Sequence, residues 1–191
     1  MTSMLILFAL IFLIVIFILS ALWILVPAFY GPPSVPTKLS RVRKALQLVD
    51  LKPNEVLYDL GAGDGRVLLL AAQEFNAKAV GIEIGPIQCA LIWLRAVANG
   101  LGDNVQVKWE NYLKADLSAT DVVFVYATSR EVAKLAAHLE KQMKPGARLV
   151  SISADFPEWK PSAFDERELI FVYAMPPKRG SLTTYLLEKA T

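Results

Sequence analysis

Asp59-Leu-Gly-Ala-Gly-Asp-Gly-Arg66 holds the residues of this chain whose types and spacing are best suited to do chemistry. The run follows a short β-rich segment and precedes a helical one. At such a junction backbone N–H groups come close to a ligand only where side chains are absent. The spacing is G-x-G-x-G, not the G-x-G-x-x-G that cradles a dinucleotide diphosphate. An acidic residue just before the first glycine suits a ligand bearing a cationic amino group. Glu83 stands 24 positions after Asp59 and ends the next β-rich segment. A carboxylate there can accept both hydroxyls of a ribose. A tight structural turn would explain the glycines alone, but not the register of Asp59 with Glu83. His138, the single histidine, is remote in sequence from these motifs. Cys89, the single cysteine, reads as a small buried hydrophobe. No Cys/His cluster has metal-ligand spacing, so no metal is expected, and no Ser-His-Asp arrangement suggests a hydrolase.

The elements that must position these residues alternate from residue 55 onward. Val56–Leu60, Ala79–Ile84, Val105–Trp109, Asp121–Ala127 and Ala147–Ser153 read as strands. Between them, Arg66–Phe75, Gln88–Ala98 and Arg130–Met143 read as helices, the last closed by Lys144-Pro-Gly. The almost wholly apolar Asp121–Ala127 fits a strand covered on both faces. Glu168–Met175 and Leu182–Glu188 flank Pro176-Pro-Lys-Arg-Gly and read as a closing hairpin. Such alternation predicts an α/β, doubly wound Rossmann-like sheet with an antiparallel C-terminal hairpin, over residues 51–191.

Ahead of that domain the composition changes. From Met4 to Val26 the only polar residue is Ser20, and no charge precedes Lys38. A helix over those residues would be about 34 Å long, against roughly 30 Å of hydrocarbon to cross. The expected organisation is a single transmembrane anchor over 1–30, then a stiff Gly31-Pro-Pro-Ser-Val-Pro linker and an amphipathic helix over 31–50. In that helix Leu39, Val42, Leu46 and Val49 form the apolar stripe; Arg41, Arg43 and Lys44 flank it, either solvated or touching anionic headgroups. A cleaved signal peptide is the nearer rival, but Met1-Thr-Ser lacks a basic residue and the apolar run is too long. The basic cluster after the span places the N-terminus outside and the domain in the cytoplasm. A lone cysteine agrees with a reducing compartment. A net charge of +2 on 191 residues gives no reason to expect nucleic acid.

With those motifs in place, residues 35–191 resemble the class I, seven-β-strand methyltransferases. The resemblance assigns Asp59, Gly61, Gly63 and Gly65 to the first motif for S-adenosylmethionine (SAM) and Glu83 to the ribose. Glu110-Asn111 falls where the family has an acidic residue for the adenine amino group, with Asn111 in the usual aspartate position. A narrower resemblance rests on Val35-Pro-Thr, Asp59–Arg66, Tyr126 and Ser153-Ala-Asp-Phe-Pro-Glu-Trp159. These are similar to protein-lysine methyltransferases, including archaeal enzymes and the mitochondrial enzymes that modify the ATP synthase c-subunit and the adenine nucleotide translocase. The fourth strand lacks the Asn-Pro-Pro-Tyr signature of enzymes methylating amide or base nitrogens.

The resemblance implies transfer of a methyl group from SAM to lysine of a membrane-associated protein, with a bilayer as a second partner. A lysine amine with pKa near 10.4 must first lose its proton, at a cost of roughly 4.6 kcal/mol at pH 7. An apolar aromatic channel lowers that cost. Tyr126, Phe156 and Trp159 are the candidates for its wall, with Asp155 near the entrance; Asp64 and Arg66 are candidates for ordering the glycine loop. A lipid or small-molecule acceptor stays open, as does a catalytically silent SAM-binding module. An NAD or nucleotide-sugar oxidoreductase is opposed by the glycine spacing and by the lack of a Tyr-x-x-x-Lys pair.

Overall fold

The computed structural model describes residues 2–30, 37–126 and 128–190, with side chains from 4 to 21 in the first stretch. The expected linker over 31–36 lies outside the described residues. The chain divides into two units at Val35/Pro36. Among its described residues the first consists of the helix α1 (Thr2–Tyr30). Its window Met4–Ala21 has a mean hydropathy of 3.3 and is not buried, so α1 is long and apolar enough to cross a membrane. Ser20 directs its hydroxyl back to the Ile16 carbonyl, which satisfies the one polar side chain of that surface.

The second unit is built on seven strands: β1 (Val56–Leu60), β2 (Lys78–Glu83), β3 (Val105–Trp109), β4 (Val122–Tyr126), β5 (Arg148–Ile152), β6 (Ala163–Asp165) and β7 (Ile170–Ala174). They lie in the order β3-β2-β1-β4-β5-β7-β6. All neighbours are parallel except β7, which runs antiparallel to both β5 and β6. On one face, α2 (Leu39–Leu48), α3 (Arg66–Phe75) and α4 (Pro86–Ala98) supply Val42, Leu46, Leu68 and Ile92 to the core. On the other, α5 (Ser129–Gln142) supplies Val132, Leu135 and Leu139. With both faces covered, β4 reads Val-Val-Phe-Val and all four are buried. α5 starts on a capping box in which Glu131 accepts from the Thr128 N–H at 3.0 Å.

The antiparallel closing hairpin is present, but its strands differ from the expectation. β7 pairs with β6, a three-residue strand not read from the sequence, while Leu182–Ala190 forms a helix, α6. Ser181 begins that helix, its Oγ accepting from the Thr184 N–H at 3.2 Å. The β-branched Thr183 and Thr184 suggest a strand, but a serine cap and an inward Tyr185 one turn later decide for helix. In α2 the stripe is Val42, Ala45, Leu46 and Val49, and Leu39 is exposed. The basic flanks are held within the unit: Arg43 pairs with Glu74, and Lys44 with Asp165.

Candidate active site

In a sheet of this order the crevice opens beyond the carboxyl ends of β1 and β4, where connections depart in opposite directions. The glycine loop leaves β1 there, and Tyr126 ends β4. Gly61, Gly63 and Gly65 all take positive φ, at 90°, 56° and 78°. At Gly65 a Cβ would also stand 2.9 Å from Ile92 Cγ1, so a side chain would separate α3 from α4. At Gly63 the left-handed turn aims its N–H at Glu83 Oε2, 2.8 Å away. Glu83 Oε1 accepts from the Gly85 N–H at the same distance. The carboxylate at the end of β2 is thereby fixed from both sides.

Asp59 faces Gly81 across the β1–β2 ladder and is only 4% exposed. Burial first, then the carboxylates of Glu83 and Asp64, push its pKa up to about 8. A buried carboxyl next to two others is a site for a cation, because an ammonium group supplies the missing counter-charge. Asp64 is differently placed: Arg66 grips its carboxylate at 2.6 and 2.9 Å, and Arg95 donates to its carbonyl at 2.6 Å. The Arg66 hydrogen bond is the chief reason Asp64 lies below the usual carboxylate range. Arg66 Nη1 also donates to the Thr37 carbonyl at 2.6 Å. Arg66 therefore ties the glycine loop to the segment entering α2.

Glu110 and Asn111 follow β3, and Glu110 N–H donates to the Glu83 carbonyl at 3.0 Å. Asn111 is exposed and its Oδ1 accepts from Leu113 N–H, closing a local turn. Beside them Ile84 and Trp109 expose apolar surface, with Trp109 Nε1 donating to the Ile84 carbonyl at 2.8 Å. The glycine loop, Asp59, Glu83 and this apolar edge thus lie along one rim. In order they offer a site for a cationic amino group, a diol and a planar base.

On the β4 side Tyr126 is 37% exposed and lines a cavity of about 310 Å³ with Thr37, Lys38, Arg41, Arg167, Glu168 and Leu169. The Arg41 guanidinium stands 6.0 Å from the Tyr126 ring centre. It donates to the Glu168 carbonyl at 2.8 Å and to Ser153 Oγ at 3.0 Å. Ser153 carries a positive φ of 72°, a strained backbone for a non-glycine residue at the end of β5. Asp155 is partly buried two residues on.

Phe156 and Trp159, expected to wall an acceptor channel, lie in the core at 1% and 2% exposure. Their rings stack at 4.5 Å and meet Tyr173 edge-on, at 5.3 Å for Phe156 and 5.8 Å for Trp159. The Tyr173 hydroxyl accepts from the Phe156 N–H at 2.9 Å. Burial raises the Tyr173 pKa. Their place is beneath the loop that carries Asp155, and Tyr126 is the aromatic residue of the expected trio with an open face. Of the cavity residues only Tyr126 stands out in the sequence as a site residue. Thr37 belongs to the short Val35-Pro-Thr run, and Arg41 reads as a helix flank. His138, not expected to act, has Nε2 3.0 Å from the Ala115 carbonyl.

Strand order, glycine loop, paired acid and a hairpin closing the sheet define a class I SAM-dependent methyltransferase. Residues 59–163 match the ANTKMT methyltransferase domain, and the chain belongs to that family of protein-lysine N-methyltransferases. A protein-lysine N-methyltransferase of Saccharolobus islandicus is 34% identical over 130 residues, 68% of this chain and 81% of that one. The Mus musculus lysine N-methyltransferase of the ATP synthase c-subunit is 26% identical over 153 residues, 78% of this chain and 60% of that protein. This chain therefore covers less than two thirds of the mouse protein. A solved RNA methyltransferase from Salinibacter ruber, in complex with S-adenosyl-L-homocysteine, superposes with a TM-score of 0.72 at 33% identity. That match covers 76% of this chain and 97% of the other.

Proposed function

We propose that this chain transfers a methyl group from SAM to the ε-amine of lysine in a membrane-associated protein. The observation that carries the reading is the junction at β1, β2 and β4. The carboxylates of Asp59 and Glu83 stand at the ends of β1 and β2, and Tyr126 is open at the end of the neighbouring β4. When bound, SAM supplies a methyl group already activated by the sulfonium charge, so the protein's task is alignment and desolvation. Asp59 holds the amino group, Glu83 the ribose hydroxyls, and Glu110-Asn111 with Ile84 the adenine edge. Tyr126 packs against the incoming amine, and the cations around its cavity, Lys38, Arg41 and Arg167, disfavour the ammonium and so favour the neutral form that can attack. Asp155, on the loop braced by Phe156 and Trp159, lies at the entrance.

The membrane part of the reading rests on α1 and on the mouse relative, whose name identifies a component of ATP synthase as its acceptor. An uncharged span followed by Lys38, Arg41, Arg43 and Lys44 orients the domain to the cytoplasm. Only a few residues separate α1, which ends at Tyr30, from the second unit, which begins at Pro36, and so short a tether keeps membrane-bound acceptors at high effective concentration. The test is incubation of membranes from a deletion strain with the purified full-length chain and methyl-labelled SAM, followed by separation of protein, lipid and RNA. Label in protein, released as methyl-lysine on hydrolysis, supports the reading. Label confined to lipid, or to RNA as the Salinibacter ruber relative's name would have it, overturns it.

A further inference from the structure

We propose that the Thr37 hydroxyl, with Lys38 and the N-terminus of α2, forms the subsite for the α-carboxylate of the bound donor. The inference rests on the donor reading above and assigns a residue that reading does not use. Thr37 is 8% exposed, and its Oγ1 is a buried side-chain oxygen with no hydrogen-bond partner among the described residues. Leaving such a group unpaired carries its full desolvation penalty, so native structures fill such positions with a partner. Thr37 lines the Tyr126 cavity, and the Arg66 hydrogen bond to its carbonyl fixes it to the glycine loop. The unpaired hydroxyl thus belongs to a segment tied directly to the glycine loop that follows Asp59.

The charge of the surroundings selects the ligand group. α2 has no side-chain cap and no acidic residue in its first turn. Its first N–H groups have no acceptor within the helix and carry the positive end of its dipole. Lys38, Arg41 and Arg167 add three cations around the cavity against the single carboxylate of Glu168, which already lies 3.7 Å from Arg41. A lysine ammonium would be repelled from this corner. A carboxylate is drawn to it and accepts the hydrogen that Thr37 has to give. Asp59 for the ammonium and Thr37 for the carboxylate then divide a zwitterion between two subsites of opposite charge. Asp64, whose carboxylate adds to the negative field at Asp59, is already gripped by Arg66.

The test compares two ligands on the full-length chain in detergent micelles by titration calorimetry. S-adenosyl-L-homocysteine carries the amino-acid group; 5′-methylthioadenosine has the same nucleoside and sulfur without it. Thr37→Val, which keeps the shape and removes the hydroxyl, should weaken S-adenosyl-L-homocysteine binding about tenfold and leave 5′-methylthioadenosine unchanged. Thr37→Ser should restore the loss. An unchanged S-adenosyl-L-homocysteine affinity in Thr37→Val overturns the assignment, and so does an equal loss for both ligands. If the wild-type chain binds neither compound, the donor reading falls and takes the Thr37 subsite with it.

Discussion

Glu83 is held by the same glycine loop it helps to complete: its Oε2 accepts from the Gly63 N–H at 2.8 Å. The second oxygen accepts from Gly85, so each oxygen spends one lone pair on backbone and keeps another for a ligand. A ribose diol meeting this carboxylate finds it already oriented, which spares the cost of ordering a free side chain on binding.

Glu83→Ala should therefore weaken SAM binding at least tenfold while leaving the fold intact. Glu83→Gln is not a mild change here. Both oxygens face N–H donors, so the amide NH₂ must meet one of them donor to donor. Calorimetry should rank wild type above Gln, with Gln close to Ala. A Gln variant of wild-type affinity would show that the loop contacts do not orient this side chain.

Asp59 makes binding pH-dependent. Its folded-state pKa, about 8 without ligand, is raised above that of an exposed aspartate, so the domain takes up a proton on folding. Its contribution to stability is complete below about pH 4 and is lost as pH rises toward 8. A donor ammonium needs the ionised carboxylate and displaces that proton. Affinity for S-adenosyl-L-homocysteine should rise from about pH 6 to 8, with about one proton released per binding event, measured in buffers of different ionisation enthalpy. Asp59→Asn should remove both the proton release and the pH slope.

Trp159 tests the placement of the aromatic cluster. A fully buried, stacked tryptophan costs roughly 3–5 kcal/mol when cut to alanine, enough to lower the melting temperature by about 10 °C in a domain of this size. Trp159→Ala should show that drop while retaining SAM affinity well below the transition. A variant with unchanged melting and lost turnover would return Trp159 to the acceptor channel.

Residues with local causes were legible in the sequence. Glycine spacing, the acid ending β2 and the apolar β4 each follow from neighbours a few positions away, and the structure puts Asp59, Glu83 and Tyr126 on one edge of the sheet. What escaped depends on contacts between distant segments. β6 has three residues and pairs only because β7 offers an edge. Trp159 reads as a wall of the acceptor channel until Tyr173, on β7, closes over it. Arg41 reads as the flank of a helix, yet its guanidinium bridges to Glu168, 127 positions away. Thr37 gave no local signal beyond the short Val35-Pro-Thr run, since its meaning lies in an absent partner rather than a pattern.

Tyr126 should separate chemistry from donor binding. It ends β4 with 37% of its surface open, while Asp59 and Glu83, proposed to hold the donor, stand on β1 and β2. Its ring faces the Arg41 guanidinium at 6.0 Å, a contact that holds the ring rather than engaging the hydroxyl. Removing the whole ring should leave the donor's contacts in place and loosen the approach of the amine. An effective-molarity loss of that kind costs on the order of 10²-fold for about 1 Å of misplacement. Tyr126→Ala should therefore cut turnover about a hundredfold with SAM affinity within about threefold of wild type, whereas Tyr126→Phe, which keeps the ring, should retain most activity. Single-turnover kinetics with a saturating lysine-containing acceptor separates the two. If Tyr126→Phe falls as far as Tyr126→Ala, the hydroxyl itself takes part, and the ring is not merely a wall for the amine.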